Sequence, residues 1–456
     1  MLKRFTSMLT ASNRQDGFDA TTPRVRRWAD GTPRRRAAAL VAAAAAAALT
    51  VAPFRHGVAQ GVADLRLRVQ QERQPYLGTL QQLVSIESGS GDAEGLERIG
   101  ELIAGRLRAL GGEVEMVAAP PDMIRFENTP PQVGRAVVAR FTGTGTRRLL
   151  LLAHMDTVYP RGTLAGQPFR IAGDRAYGLG IADDKHGVAL ILHALAIARD
   201  LGVRDYGLIT VVINADEEVS SAGSRGLITR LGAEHDLVLS FEGGGTNDLV
   251  RLATQGIAAV QLKVTGRASH AGAAPEDGRN ALIELAHQIL QMTDLSDSAT
   301  GTTLNWTLAS AGTARNVIPA LARATADVRV IRVADYDGIE RRVRERIRSQ
   351  RIADAKVEVV FERTRPPLEA SDRSRRVAEQ ARRIYAEAGG TLAIEDRPTG
   401  GGTDAAFAAL NSRAPVLEGL GLKGFGAHSD DAEYIEIPSI EPRLYLAVRL
   451  LMEGGK

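Results

Sequence analysis

An α/β fold is predicted by three features of this sequence. Apolar runs without polar alternation, such as Leu149–Leu152 and Leu208–Ile213, suit strands buried on both faces of a sheet. Segments of helical period lie between them, as in chains that wrap helices around a sheet. The runs also end in an acid or an imidazole, and open α/β sheets collect their ligand-binding groups at the carboxyl ends of strands.

With 456 residues the chain is long enough for two domains or one large one. Charged residues at 24% and apolar residues at 44% describe a globular protein. The formal net charge is +3, but residues 1–59 hold ten Lys and Arg against three Asp, which leaves the remainder at about −4. A mildly acidic body excludes a general basic surface for nucleic acid.

Residues 1–59 read as an export leader. Arg34–Arg36 precede an apolar run from Ala37 to Ala52, and Gly57-Val58-Ala59 offers small residues for cleavage before Gln60. The run is short and alanine-rich for a spanning helix. The expected location is therefore the periplasm or outside the cell, with no stable membrane span after the leader is removed. The absence of cysteine is compatible with that compartment.

From Gln60 to Leu110 apolar residues recur at helical steps, and Gly111-Gly112 closes the pattern. Val114–Val117 and Ala136–Phe141 read as strands around a proline-rich loop. The next strand, in RRLLLLAHMDTVYP, ends in His154, with Asp156 two residues on and on the same side if the chain stays extended. A carboxylate there could accept the second imidazole N–H and fix its tautomer.

The glycine-rich stretch YGLGIADDKHG lacks the third glycine of a dinucleotide fingerprint. Its Asp183 and Asp184 precede the apolar helix Val188–Ala198, where capping would account for one of the two. The strand LITVVINADEE ends in Asp216, Glu217 and Glu218, whose mutual repulsion calls for a cation or a raised pKa. LVLSFE ends in Glu242, and His428 follows the apolar run Ala414–Leu420.

His154, Asp183, Glu218, Glu242 and His428 thus stand at strand ends or in glycine-rich turns, which a parallel sheet would bring together along one edge. Two imidazoles and three carboxylates form an N/O set suited to zinc, with cobalt or manganese as substitutes. If one carboxylate bridges, each of two metals has three protein ligands.

These residues carry a resemblance to the co-catalytic zinc exopeptidase family that includes aminoacylase and the glutamate carboxypeptidases, with the bacterial folate-hydrolysing branch most similar. It runs from about Leu65 to the C-terminus through LLAHMDTV, GxGIADDKxG, INADEE, LSFE, GRASHAGAAPEDGRNA, NVIPA with DVR, TGGGTDAA and GFGAHSDDAEY. The resemblance implies two Zn2+ per subunit, one held by His154, Asp183 and Glu242, the other by Asp183, Glu218 and His428. It implies that Asp156 orients His154 and that Glu217 is the general base, which later protonates the leaving amine. The Asp183–Asp184 peptide is often cis in such proteins.

By the same resemblance the fold is a zinc-exopeptidase-like catalytic domain with a mixed central sheet, in two parts (60–255 and 366–456), interrupted by an inserted α+β lid and dimerisation domain (256–365). In the insert, Ala258–Val264, Thr302–Leu308 and Ala322–Ile331 read as strands, and Ala281–Met292 and Tyr336–Ile347 as helices. His270 resembles the histidine that supports the oxyanion in a neighbouring subunit's site. Asn316 and Arg329 resemble residues that bind the substrate's terminal carboxylate, and Gly401 lies in a glycine turn beside the site. Two departures stand out. Gly243–Gly245 follow Glu242 where relatives usually have a proline and soon after a basic residue, and His186 replaces a small residue. The implied activity is metallocarboxypeptidase hydrolysis of an N-acyl or folate-type substrate by a homodimer, with an N-acyl-amino-acid or dipeptide amidohydrolase of other side-chain preference as the alternative.

Overall fold

The computed structural model describes residues 64–429 and 433–456; the leader read in residues 1–59 lies outside them. No helix among the described residues is long and apolar enough to cross a membrane.

The stretch expected as one helical run is two helices, α1 (64–84) and α2 (Ala93–Ala109). The break has a physical cause. Gly89 pairs with Thr157 beyond the histidine strand, and a Cβ at Gly89 would lie 2.3 Å from the carbonyl oxygen of Tyr159. The chain must leave the helix there to reach that strand end. Asp92 then restarts it, accepting the Gly95 N–H at 3.0 Å as an N-cap. Gly111, at φ +94°, ends α2 in the left-handed conformation expected of a C-cap glycine.

The central sheet has the order β1-β2-β6-β3-β7-β14. Its strands are β1 (Glu113–Val117), β2 (Ala136–Thr142), β3 (Arg148–His154), β6 (Leu208–Asn214), β7 (Leu237–Ser240) and β14 (Val416–Leu417). β1 and β2 run antiparallel to their neighbours, whereas β3, β6, β7 and β14 are parallel, so the sheet is mixed. The parallel strands are the ones that carry acids and histidine at their ends. Successive residues of β3 point to opposite cores: Leu149 and Leu151 pack with α1, α2, α3 (His186–Asp200), α7 (Asp372–Glu387) and α9 (Ile440–Glu453). Leu150 and Leu152 pack with α4 (Arg225–Glu234) and α8 (Asp404–Ala409). Burial on both faces is why these strands lack polar alternation.

Two small sheets flank the parallel strand ends. One joins β4 (Arg170–Ala172), β5 (Arg175–Tyr177), β16 (Tyr434–Glu436) and β15 (Gly424–Phe425); the other pairs β8 (Leu249–Arg251) with β13 (Ala393–Glu395). Residues 256–365 build a separate antiparallel sheet of order β10-β11-β9-β12, from β9 (Gly256–Thr265), β10 (Thr303–Ala311), β11 (Leu321–Val330) and β12 (Lys356–Arg365). Helices α5 (Ala281–Leu290) and α6 (Asp335–Arg346) complete its own apolar core. The strand β12 was not expected from the sequence. It is an edge strand carrying Glu358, Glu362 and Arg363, and such edge charges dilute the apolar alternation.

Leu151 is fully buried on the central strand. Leu151→Ala is expected to destabilise the chain by about 3 kcal/mol, as core truncations that leave a cavity do. The check is a lower denaturant midpoint with an unchanged slope.

Candidate active site

The pairing of β3 with β6 sets His154 opposite Asn214, and the pairing with β7 sets Leu152 opposite Ser240. The residues that follow these strands therefore emerge side by side. His154 is buried, and its Nε2 lies 2.9 Å from Asp183 Oδ1 and 3.4 Å from Glu242 Oε1. The exposed His428 reaches the other oxygen of Asp183 at 3.3 Å and Glu218 Oε2 at 3.2 Å. His428 has φ +64°, a conformation that costs a non-glycine residue energy and tends to mark functional positions.

Asp156 does more than orient the histidine. The Nδ1 of His154 lies 3.0 Å from its carbonyl oxygen and 3.4 Å from its Oδ1. The same buried carboxylate accepts the backbone N–H of Glu217 at 3.0 Å, that of Glu218 at 3.1 Å, and the Ser90 hydroxyl at 2.7 Å. One side chain thus joins the ends of β3 and β6 to the α1–α2 turn.

The donor set fits divalent cations. Potential ligand atoms of His154, Asp183 and Glu242 lie within 4.8 Å of one another, as do those of Asp183, Glu218 and His428, so Asp183 is common to both groups. Glu218 Oε1 is buried with no hydrogen-bond partner among the described residues, an arrangement that costs energy unless a cation or donor meets it. Burial pushes the Glu218 carboxyl up to about 7. Burial disfavours charge on His154, yet Glu242, Asp156 and Asp183 hold its pKa well above the ordinary value. The cluster attracts positive charge.

Glu217 is buried beside it, with Oε1 at 2.6 Å from Arg365 Nη1. Arg365 also donates to the Glu217 carbonyl and stands 3.7 Å from Asp404 Oδ1; Ser221 donates to that oxygen and Asn214 to the other oxygen of Asp404. Burial raises the Glu217 pKa well above the usual carboxyl range, and Arg365 opposes that rise. Asp216, the first of the three acids, turns away and accepts from Gly223 N at 2.6 Å and Ser224 Oγ at 2.6 Å.

Asp183 and Asp184 are joined by a cis peptide. Neither makes a side-chain cap to the helix that follows, contrary to the simplest reading of an acid in that position. Asp184 is buried, with Oδ2 3.4 Å from the His154 backbone nitrogen. His186 sits behind it, fully buried, filling space at Gly421, where a Cβ would come within 2.2 Å of its Nε2. Burial lowers the His186 pKa to about 3, so it is a neutral packing group. Glu433 ties the Gly180–Ala182 turn in place by accepting both their N–H groups, at 2.9 and 2.8 Å, and the Tyr159 hydroxyl at 2.6 Å.

A cavity of about 810 Å³ opens over the cluster, lined among others by Asp183, Glu217, Glu218, Glu242, His428 and Gly401. Arg329 reaches its rim, donating to the Gly400 carbonyl at 2.7 Å while both Nε and Nη2 pair with Asp327 at 2.8 and 2.9 Å. His270 and Asn316 are exposed side by side on the insert and do not line the cavity of their own chain. His270 Nδ1 accepts the Gly272 and Ala273 N–H groups, and the Asn316 carbonyl accepts the Ala271 N–H.

Residues 150–453 match the model of peptidase family M20/M25/M40. The chain belongs to this family. This M20 peptidase is 47% identical to carboxypeptidase G2 of Pseudomonas sp. (strain RS-16), over 84% of its own length and 90% of that protein's. It is 31% identical to acetylornithine deacetylase of Proteus mirabilis over 44% of its length and 49% of that protein's. Its fold resembles aminopeptidase PepT from Bacillus cereus (TM-score 0.68, 21% identity, 84% and 99% of the two chains) and the M20 metallo-carboxypeptidase Sso-CP2 from Sulfolobus solfataricus (TM-score 0.66, 16% identity, 83% and 99%). The M20 peptidase is accordingly a hydrolase of peptide and amide bonds with a candidate metal site.

Arg365, Ser90 and Glu433 were not singled out from the sequence. Glu433 stands inside the GFGAHSDDAEY motif; Arg365 and Ser90 sit in loops or strand ends without periodicity, and only the fold places them.

Asp156→Ala is expected to lower kcat roughly 10- to 100-fold, as loss of groups behind metal ligands does, with metal content per chain as the second readout. Arg365→Met removes the cation that opposes protonation of Glu217. The acidic limb of the kcat/KM profile is therefore expected to move to higher pH, because the base loses its proton later.

Proposed function

We propose that the protein is a two-zinc carboxypeptidase that hydrolyses the amide bond to a C-terminal amino acid, glutamate, of N-acyl or folate-type substrates. The observation that carries this reading is the pair of ligand groups sharing Asp183, with Glu217 buried beside them. The 47% identity to carboxypeptidase G2 supports the carboxypeptidase direction of cleavage. Cobalt or manganese would suit the same N/O donors.

His154, Asp183 and Glu242 would hold one metal and Asp183, Glu218 and His428 the other; when bound, such ions polarise a scissile carbonyl and make water acidic. Glu217, already in the cavity wall, accepts the proton of the attacking water. Arg365 holds that carboxylate in place while the carbonyl carbon becomes tetrahedral. Glu217 then delivers the proton to the departing amide nitrogen as the C–N bond breaks. The products are the acyl acid and the free amino acid, and one water is consumed.

We assign His270 and Asn316 to the active site of the second subunit of a homodimer, because both are exposed on the insert and away from their own cavity. Arg329, at the rim beside Gly400 and Gly401, belongs to terminal-carboxylate recognition. Residues 1–59 act as an export leader that places the protein in the periplasm or outside the cell; a mature N-terminus near Gln60 on exported protein is the check. Gly243–Gly245 favour a second reading, an N-acyl-amino-acid or dipeptide amidohydrolase with another side-chain preference, since these three residues carry no side chain of their own to meet a substrate carboxylate.

Glu217→Gln is expected to lower kcat at least about 100-fold with metal content unchanged, the scale for losing a positioned general base. Chelation should abolish hydrolysis of folate and N-acyl-glutamate, and zinc should restore it. Equal rates on glutamate and neutral C-terminal residues would select the second reading. Sedimentation as a monomer at micromolar concentration would remove the dimer and the role of His270 in it.

A further inference from the structure

Among the described residues Arg251 and Arg365 line the cavity and Arg329 reaches its rim, and they differ in what they are bound to. Arg365 pairs with Glu217, and Arg329, assigned above to the terminal carboxylate, pairs with Asp327 and the Gly400 carbonyl. Arg251, which lines the cavity, makes one side-chain hydrogen bond, from Nη1 to the Gly243 carbonyl at 2.9 Å. Among the described residues no carboxylate lies within 4.0 Å of its guanidinium.

Its backbone is locked on both sides. It pairs with Glu395 of β13, and it exchanges N–H···O bonds of 2.8 and 3.1 Å with Glu418 beyond β14. The two neighbouring acids are engaged elsewhere: Glu418 Oε2 accepts the Thr403 hydroxyl at 2.9 Å, and Glu395 Oε1 accepts the Arg397 N–H at 2.9 Å. The anchor of Arg251 on Gly243 puts the guanidinium one residue from Glu242, hence beside the ligand cluster.

The three glycines now have a consequence. Gly245, at φ +64°, has its missing Cβ position 3.4 Å from Arg251 Nη2, so a side chain there would cover that donor. Without one, the fork is left open toward the cavity. An arginine fork held by one hydrogen bond at its back suits a carboxylate, which it meets through two parallel N–H donors.

We propose that Arg251 binds the side-chain carboxylate of the substrate's C-terminal residue and is the residue that selects glutamate. This rests on the carboxypeptidase reading and names a residue for its specificity. Arg251 brings its positive charge to the cavity from the end of β8.

The test compares N-benzoyl-glutamate with N-benzoyl-glutamine, using zinc-loaded wild type, Arg251→Gln and Arg251→Lys. Arg251→Gln should lose about 10- to 100-fold in kcat/KM on the glutamate substrate, the scale of a charge-assisted hydrogen bond, mostly through KM. The glutamine substrate should change less than about threefold, and Arg251→Lys should recover part of the loss. As a binding readout without turnover, free glutamate should raise the melting temperature of wild type more than glutamine does, and Arg251→Gln should abolish the difference. Equal losses on both substrates, or no loss on either, would overturn the assignment. Failure of wild type to hydrolyse either substrate would instead overturn the carboxypeptidase reading.

Discussion

The buried carboxylate of Asp156 is the contact on which the rest of the site depends. It meets His154 Nδ1 on one side and two successive backbone N–H groups, of Glu217 and Glu218, on the other. Backbone donors in a buried place must be satisfied, so the ends of β3 and β6 are held in one relative position. That position decides where His154, Glu217 and Glu218 stand. The Ser90 hydroxyl adds the turn between α1 and α2 to the same point, which is why the helical stretch at the start of the fold must break.

A second constraint is charge. Asp183, Glu217, Glu218 and Glu242 border one cavity, and acids at such spacing repel strongly in a poorly solvated place. Each is answered by a particular positive group: His154 and His428 for Asp183, His154 for Glu242, Arg365 for Glu217, His428 for one oxygen of Glu218. The second oxygen of Glu218 has no hydrogen-bond partner among the described residues. The surplus of negative charge is what a divalent cation would neutralise, and it gives the cluster a chemical purpose that a solvated acidic loop would lack.

The insert reaches Glu217 through Arg365. Arg365 is the last residue of β12, and its buried side chain spans from the edge of the inserted sheet to Glu217 and Asp404. Movement of the insert relative to the central sheet would therefore be felt at the base. On the opposite side of the cavity, β8 and β13 present Arg251 over the three glycines. The cavity thus has one wall built from strand ends of the central sheet and another built from loops and a short strand pair.

What the sequence determined by itself was the strand-end chemistry. Apolar runs such as Leu149–Leu152 identify strands buried on both faces, and the polar residues just beyond them have few places to go except the sheet edge. His154, Asp183, Glu218, Glu242 and His428 were legible on that ground, as was Glu217 through its place in the motif. The tertiary structure decided what depends on the register and on contacts distant in the chain. The antiparallel orientation of β1 and β2, the edge strand β12, the pairing of Arg365 with Glu217 across 148 residues and the opening of Arg251 toward the cavity leave no local pattern. The physical reason is that periodicity records which face of an element is buried, whereas the partner of a buried charge is chosen by how the elements pack.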